Sequence, residues 1–599
     1  MPAPSPALND SRNLVLAITI DGEAFDSDQI VSVEIWNAIN RVPRARLVIN
    51  DGDPSDQKFP LSAADTFRPG NKVTIAAGYD DHSTTIFSGV VVKHGIDIAP
   101  DAPSRLVVEV TDEARKMTLQ RKNMVFKQKS DHDVVAQLLS QNGLTAGKNQ
   151  ASTTKQDAIV QFHASDWDML LTRADANGLV VIVDSSTIDV LAPDTSSDPV
   201  LEIEYGDSMI AFEGEVDAAA QLAAGAAGSR SWSYTTQAIL EGVAVDQSVN
   251  APGNIEASAL AKVFGLSSAP RQSGAMLSKD ALDSWSSAAL MRARLARVCG
   301  QVRFQGSSLA KVGKMIELAG LGPRLSGNAY VTATHHTIAE NRWLTNAEFG
   351  LSANTFAVDA PNIADPPAAG QLPPAQGLHT GLVKQVDEDP DGDHRVLVTL
   401  PLLADDNDGV WARLGGYYAS NAFGTVFYPE IGDEVILGFM NEDPRSPIIL
   451  GSVYSTKRAP AYPPNKNNDK KAIVTRSRME VTFDEKDVII EIKTPGGHSI
   501  TLNDKSGEIA IKDSNSNSIV LGKGGIAIDS ASKITMTAKT DISIKAGTNL
   551  SMEATADSSL KALNITEQAN AKHAVNANAM AELKTSGMLT IQGTLVKIN

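Results

Sequence analysis

From Asp484 to Asn599 the chain contains no Phe, Trp or Tyr, and only one Pro, Pro495. Apolar residues come instead as alternating pairs, Ile526/Ile528, Ile534/Met536, Ile542/Ile544 and Leu550/Met552, each pair eight residues after the last. Repeats of this kind must bury a continuous apolar stripe by stacking. Eight extended residues reach only about 26 Å, too little for one chain to encircle a core and return. Three chains, each giving one face per layer, supply about 24 residues per turn and pair the strand edges that a lone chain leaves open. The repeat therefore predicts a trimeric intertwined β-helix or prism. The eight paired residues form its narrow core, and Thr, Ser, Lys, Asp and Asn face water.

The 599 residues leave room for about three to five domains. Short alternating runs punctuated by turns, Leu14 to Ile20, Val31 to Trp36, Ala45 to Asn50, Lys72 to Tyr79, Thr84 to His94 and Arg105 to Thr111, predict an antiparallel barrel. Helices follow: Asp131 to Gln141 capped by Ser130, a second opened by Ser165 with Trp167, Leu170, Leu171 and Ala174 on one face, and a long one from Lys279 to Val298 closed by Gly300. Further strands up to Leu351 predict a second barrel. Five strand candidates between His379 and Val453 suit a small barrel of the OB type. The expected class is thus mainly β: two N-terminal β-barrels with helical insertions (1–360), a Pro-rich linker (361–377), an OB-fold (378–456), a second linker (457–470) and the trimeric β-helix (471–599).

The formal charge is −18 with no basic block, which repels a nucleic-acid backbone rather than neutralising it. Cys299 is the only cysteine, so no internal disulfide and no multi-cysteine zinc site can form, and its expected role is that of a small buried hydrophobe. Met1 to Asp10 lacks the basic and apolar stretches of a Sec signal, and nowhere do about 18 apolar residues follow one another. Assembly in a reducing cytoplasm is expected.

Catalytic motifs are missing from the sequence: there is no GxSxG, no HExxH and no Walker loop, Gly143 to Lys148 having the wrong spacing and no Ser or Thr. Asp387 to Gly392 begins like a calcium loop, yet Val398 stands where the bidentate Glu is needed, so a hairpin turn at Asp391-Gly392 is expected instead. His335 and His336 are adjacent, and on a strand they point to opposite faces and cannot share a metal. No catalytic residue, cofactor or metal is expected.

Several stretches resemble the hub and spike proteins of contractile injection machines, called VgrG in type VI secretion and matched by phage baseplate spikes. In the OB segment these are Gly392 to Val398, Trp411 to Leu414, Pro429 to Val435 and Glu442 to Tyr454; elsewhere they are Gln161 to Asp168 and Leu589 to Asn599. Phe87 to Met117 looks closer to extracellular, phage-tail-like particles. The resemblance implies a non-enzymatic homotrimer that joins the baseplate proteins and inner tube protein to a piercing tip, with transient contact with the target membrane. It also implies a PAAR-type tip protein docked on Leu595, Val596, Ile598 and Asn599. With Asn599 ending the needle, effector cargo is expected to bind noncovalently. The rival reading is a trimeric β-helical glycan-binding or depolymerising tail protein. Such proteins display aromatic platforms for sugars, which this needle lacks.

Overall fold

The computed structural model describes residues 3–6, 13–80, 82–100, 103–360, 363–364, 366–402 and 408–598. It divides into two compact units, Met1–Val453 and Tyr454–Asn599.

In the first unit a 13-stranded sheet runs from Met209–Val216 through Val298–Gln305, Arg342–Phe349, Gly327–Ala339, Ile30–Ala38, Arg44–Asn50, Arg105–Thr111, His82–Asp97, Lys72–Tyr79 and Leu14–Ile20 to Glu23–Phe25. Glu202–Glu204 and Met315–Ala319 attach beside Gly327–Ala339. Period-two alternation puts one face of the strands inside: in Arg44–Asn50, Ala45, Leu47 and Ile49 are buried while Arg44, Arg46 and Asn50 are exposed, with Val48 buried as well. The two expected barrel halves are two apolar cores on this one sheet. One gathers Ile18, Val33, Leu47, Ile75 and Val108; the other gathers Val298, Val302, Phe304, Val331 and Phe349. Gly327–Ala339 joins them, since its Ala333 to Ala339 pair with Ala38 to Ser32 while its first residues pair with Met315 to Leu318.

A third core lies under the helices Asp131–Gln141 and Asp166–Ala176. Ser130 and Asp133 exchange side-chain-to-backbone bonds as a capping box (3.1 and 3.0 Å), and Ser165 caps the second helix through Asp168 N (3.0 Å). The Lys279–Leu295 helix ends earlier than its sequence predicts, with Ala296 as its cap. Gly300 does not close it. That residue lies inside the strand Val298–Gln305, where a Cβ would stand 2.2 Å from Glu213 O and 2.7 Å from the Phe349 ring. Close strand packing, not a helix stop, is what requires glycine there.

His379–Gln385, Val396–Thr399, Val410–Leu414, Pro447–Ser452 and Glu434–Phe439 form a closed five-stranded barrel around Val383, Val396, Val398, Ala412, Val435, Leu437 and Ile449. In the second unit, Lys470–Val474, Glu480–Asp484, Ile489–Lys493, Ser499–Asn503, Glu508–Lys512, Ser518–Gly522 and Gly525–Asp529 make a seven-stranded antiparallel meander. Among the described residues no hydrogen-bonded strand follows Asp529.

Candidate functional site

The meander is where sequence pattern and geometry converge. Its register aligns Phe483, Ile490, Leu502, Ile509, Leu521 and Ile526 across successive strands as one ladder. A second ladder two residues along each strand runs through Ile473, Val481, Ile492, Ile500, Ile511, Ile519 and Ile528. Residues two apart share a face, so the two ladders make one continuous apolar surface. The opposite face carries the rung Ala472, Thr482, Glu491, Thr501, Ala510, Val520 and Ala527. Cross-strand β-branched pairs of this kind stabilise a sheet only modestly by themselves. Within one chain the ladder side chains other than half-buried Val481 stay open to solvent, from 37% at Leu521 to 70% at Ile526. A groove of about 640 Å³ runs along this face, lined by Ile492, Ile500, Ile511, Ile519, Ile528 and Ile534 among others.

Beyond Asp529 the chain is extended and bends at 531–532, 539–540, 547–548 and 555–556, keeping the eight-residue period of the sequence. Ile534, Met536, Ile542, Ile544, Leu550 and Met552 are all more than half exposed, as are Ile526 and Ile528. The structure thus brings Ile526 and Ile528 onto the ladders. The other six expected core residues lie along an extended segment, each more than half exposed, with Ile534 at the end of the groove. Leu595 and Ile598 are exposed, and Val596 is 49% exposed; Asn599 lies outside the described residues.

Sequence reading missed the ladder residues from Phe483 to Leu521. The signal was present, since Ile490/Ile492, Ile500/Leu502, Ile509/Ile511 and Ile519/Leu521 are also alternating pairs, at spacings of nine and ten residues. Hairpin turns such as Thr494 to His498, closed by a 3.0 Å backbone bond, take up the extra residues. Polar side chains rim the meander: Lys470 meets Asp484 at 2.6 Å, and Glu480 takes bonds from Tyr462 (2.7 Å) and Lys493 (3.2 Å), which hold its carboxyl below the usual range.

The other candidates are structural in their contacts. Asp389 receives Arg395 Nη2 at 2.6 Å and Nε at 3.0 Å, and this guanidinium holds its carboxyl well below the usual range. His336 is buried against Trp343 Nε1 (3.3 Å) and Thr345 Oγ1 (2.9 Å), while His335 stacks on Trp36 on the other face. Burial pushes the Cys299 thiol up to about 11. Among the described residues no group of three His, Cys, Asp or Glu side chains is placed to hold a metal ion.

Comparison with known proteins places this architecture in a class. Residues 379–454 match the model of the type VI secretion system and phage-baseplate injector OB domain, and 489–548 match that of the phage baseplate V C-terminal trimerisation domain. The type VI secretion system spike protein VgrG5 of Pseudomonas aeruginosa is 31% identical over 74 residues, 12% of this chain and 9% of that protein. The actin cross-linking toxin VgrG1 of Vibrio cholerae is 33% identical over 75 residues, 12% of this chain and 7% of that protein. The matched stretch therefore spans about a tenth of the length of these curated relatives. The 43 kDa tail protein of prophage MuSo2 from Shewanella oneidensis aligns with a TM-score of 0.43 at 8% identity, covering 57% of this chain and 99% of that one. The chain is a VgrG-like hub and spike protein of mainly β fold, with an OB domain. By the match of residues 10–340, more than half its length, it belongs to the family described by the Alg8 N-terminal domain.

Proposed function

We propose that three identical copies of this chain form the non-enzymatic central spike of a contractile injection machine, puncturing a target envelope when the sheath contracts. The observation that carries the reading is the uncovered double ladder, continued by the eight-residue repeat. Burying such a face is worth roughly 1.5–3 kcal/mol for each fully covered Ile or Leu, and only other copies present the same repeat in register. The match of residues 489–548 to a trimerisation domain supports three copies. Rigidity then comes from interchain pairing, which is what transmitting a push requires.

In this reading residues 1–360 are the hub that meets the inner tube and baseplate proteins, and 378–456 are the OB collar. Residues 361–377 and 457–470 are linkers, and 471–599 are the needle. Leu595, Val596, Ile598 and Asn599 form the seat for a PAAR-type tip protein. Effector cargo binds noncovalently. The spike is assembled in the bacterial cytoplasm and leaves the cell as part of the particle. No helix among the described residues is long and apolar enough to cross a membrane.

Light scattering tests the reading. The full chain is expected near three times 63.4 kDa, and resistance to SDS or heat should require the residues after Asn468. A stable full-length monomer would overturn it, and glycan cleavage by the purified protein would favour the depolymerase instead.

A further inference from the structure

Between the barrel strands Val410–Leu414 and Glu434–Phe439 the chain leaves the OB barrel as an arm. Its strands Ala419–Ser420 and Phe423–Gly424 pair Ala419 with Gly424 and Ser420 with Phe423. Thr425 N donates to Tyr418 O at 2.8 Å, the base is tied to the barrel by Gly415 N on Ile449 O at 2.9 Å, and Tyr428 Oη donates to His394 O at 3.1 Å. The arm is therefore a defined hairpin. A hairpin of this size is marginal in water unless one of its faces is packed.

Its composition is unlike the rest of the molecule. Leu414 to Pro429 holds no Asp, Glu, Lys or Arg in a chain that is 21% charged, yet it holds Tyr417, Tyr418, Phe423, Phe427 and Tyr428 in a chain that is 5% aromatic. Tyr417, Tyr418, Phe423, Val426 and Phe427 are each more than half exposed. Aromatic enrichment with charge depletion marks the centre of a protein interface.

Resting on the homotrimer reading above, we infer that this arm packs against a second copy of the chain, extending the trimer interface from the needle into the OB region. Two arguments select that occupant. Around a three-fold axis each chain offers the same arm to a different surface of the next chain. Every copy carries a net charge of −18, so an acidic arm would be repelled by its neighbour, whereas a charge-free aromatic arm meets no repulsion. The segment between Val453 and Lys470 also reaches at most about 60 Å fully extended. Association of the ladders therefore tethers three arms at an effective concentration on the order of mM.

Maleimide labelling of the full chain tests this, with S420C on the arm, D393C on an exposed turn of the same barrel as reference, and light scattering of every sample. Half-buried Cys299, its thiol pushed up to about 11, adds only a slow background. S420C is expected to label at least about tenfold more slowly than D393C in the trimer, and to become fast when Ile500→Asp with Ile511→Asp makes the chain monomeric. Equal rates in a confirmed trimer would overturn the arm contact and leave the needle trimer standing. Protection persisting in the monomer would overturn it too, by placing the partner surface within the same chain. A parent chain that is monomeric would overturn the homotrimer reading, and the arm contact with it.

Discussion

Ile511 sits in the middle of the second ladder, paired with Ile500 on one side and Ile519 on the other, and is 44% exposed in one chain. Closing a trimer over it withdraws roughly 80 Å² per copy, worth about 2 kcal/mol at ~25 cal/mol/Å² and about 6 kcal/mol for three copies. Ile511→Ala forfeits most of this, lowering the association constant by about four orders of magnitude at ~1.4 kcal/mol per decade. Because three monomers meet, the midpoint concentration of dissociation shifts by the square root, about a hundredfold upward. Thr501→Ala is the control: Thr501 lies on the neighbouring strand but on the opposite face. The assay is light scattering over a dilution series, in guanidinium chloride held where the parent trimer is half dissociated. A shift below about threefold, or one matched by Thr501→Ala, would refute the claim that the ladder face is the interchain core.

His336 is fully enclosed, and burial lowers its pKa from 6.5 to about 4. The unfolded chain therefore takes up the proton first, and stability is full above about pH 6.5 and falls as the pH drops towards 4, by about 3 kcal/mol in all; urea melts of the parent and His336→Gln should differ in slope across that window and agree above it. Cys299, held near 11, should react with an aromatic disulfide on the order of 20-fold more slowly than an ordinary thiol of pKa about 8.5, the smaller thiolate fraction being partly offset by the greater nucleophilicity of the more basic thiolate, and fully once the chain is denatured. Arg292, buried against Asp175 and donating to Asn354 O at 2.9 Å, should cost about 3–5 kcal/mol when changed to Ala. The double change with Asp175→Ala should cost less, as read from calorimetric melting.

What could be read from the sequence was whatever a chain decides locally. Alternation located the sheet strands from Leu14–Ile20 to Arg105–Thr111, and serine caps located the helices at Ser130 and Ser165. The aromatic-free repeat marked Ile526 and Ile528 as a paired apolar face. What was hidden depends on partners distant in the chain. Gly327–Ala339 looks like one strand of a second barrel, but its pairing with Ile30–Ala38 fuses both halves into one sheet. Gln156–Ser165 loses its alternation at the bulge between Gln161 and Ala164, where His163 adopts φ +42°. Gly300 was ambiguous because a helix stop and a crowded strand call for the same residue, and only the position of Glu213 decides between them.

The change of spacing at Ile526 also orders assembly. From Lys470 to Asp529 every strand finds its neighbours in the same chain, with turns of enough residues to reverse direction. After Asp529 the apolar pairs recur every eight residues, bends replace turns, and the chain provides itself with no ladder among the described residues. Backbone groups left without partners inside a packed prism would be costly, so in the homotrimer proposed above the segment 530–598 gains its pairing as the chains associate. The meander can form first and set the register, and the eight-residue segment then winds onto it towards the tip. A chain ending at Ser530 should therefore still associate, at higher concentration than the parent. In the full chain, amides of 530–598 should exchange slowly only in the trimer, while those of 480–522 keep part of their protection in the monomer. Slow exchange of 530–598 in a monomer, or loss of all association on ending the chain at Ser530, would reverse the order.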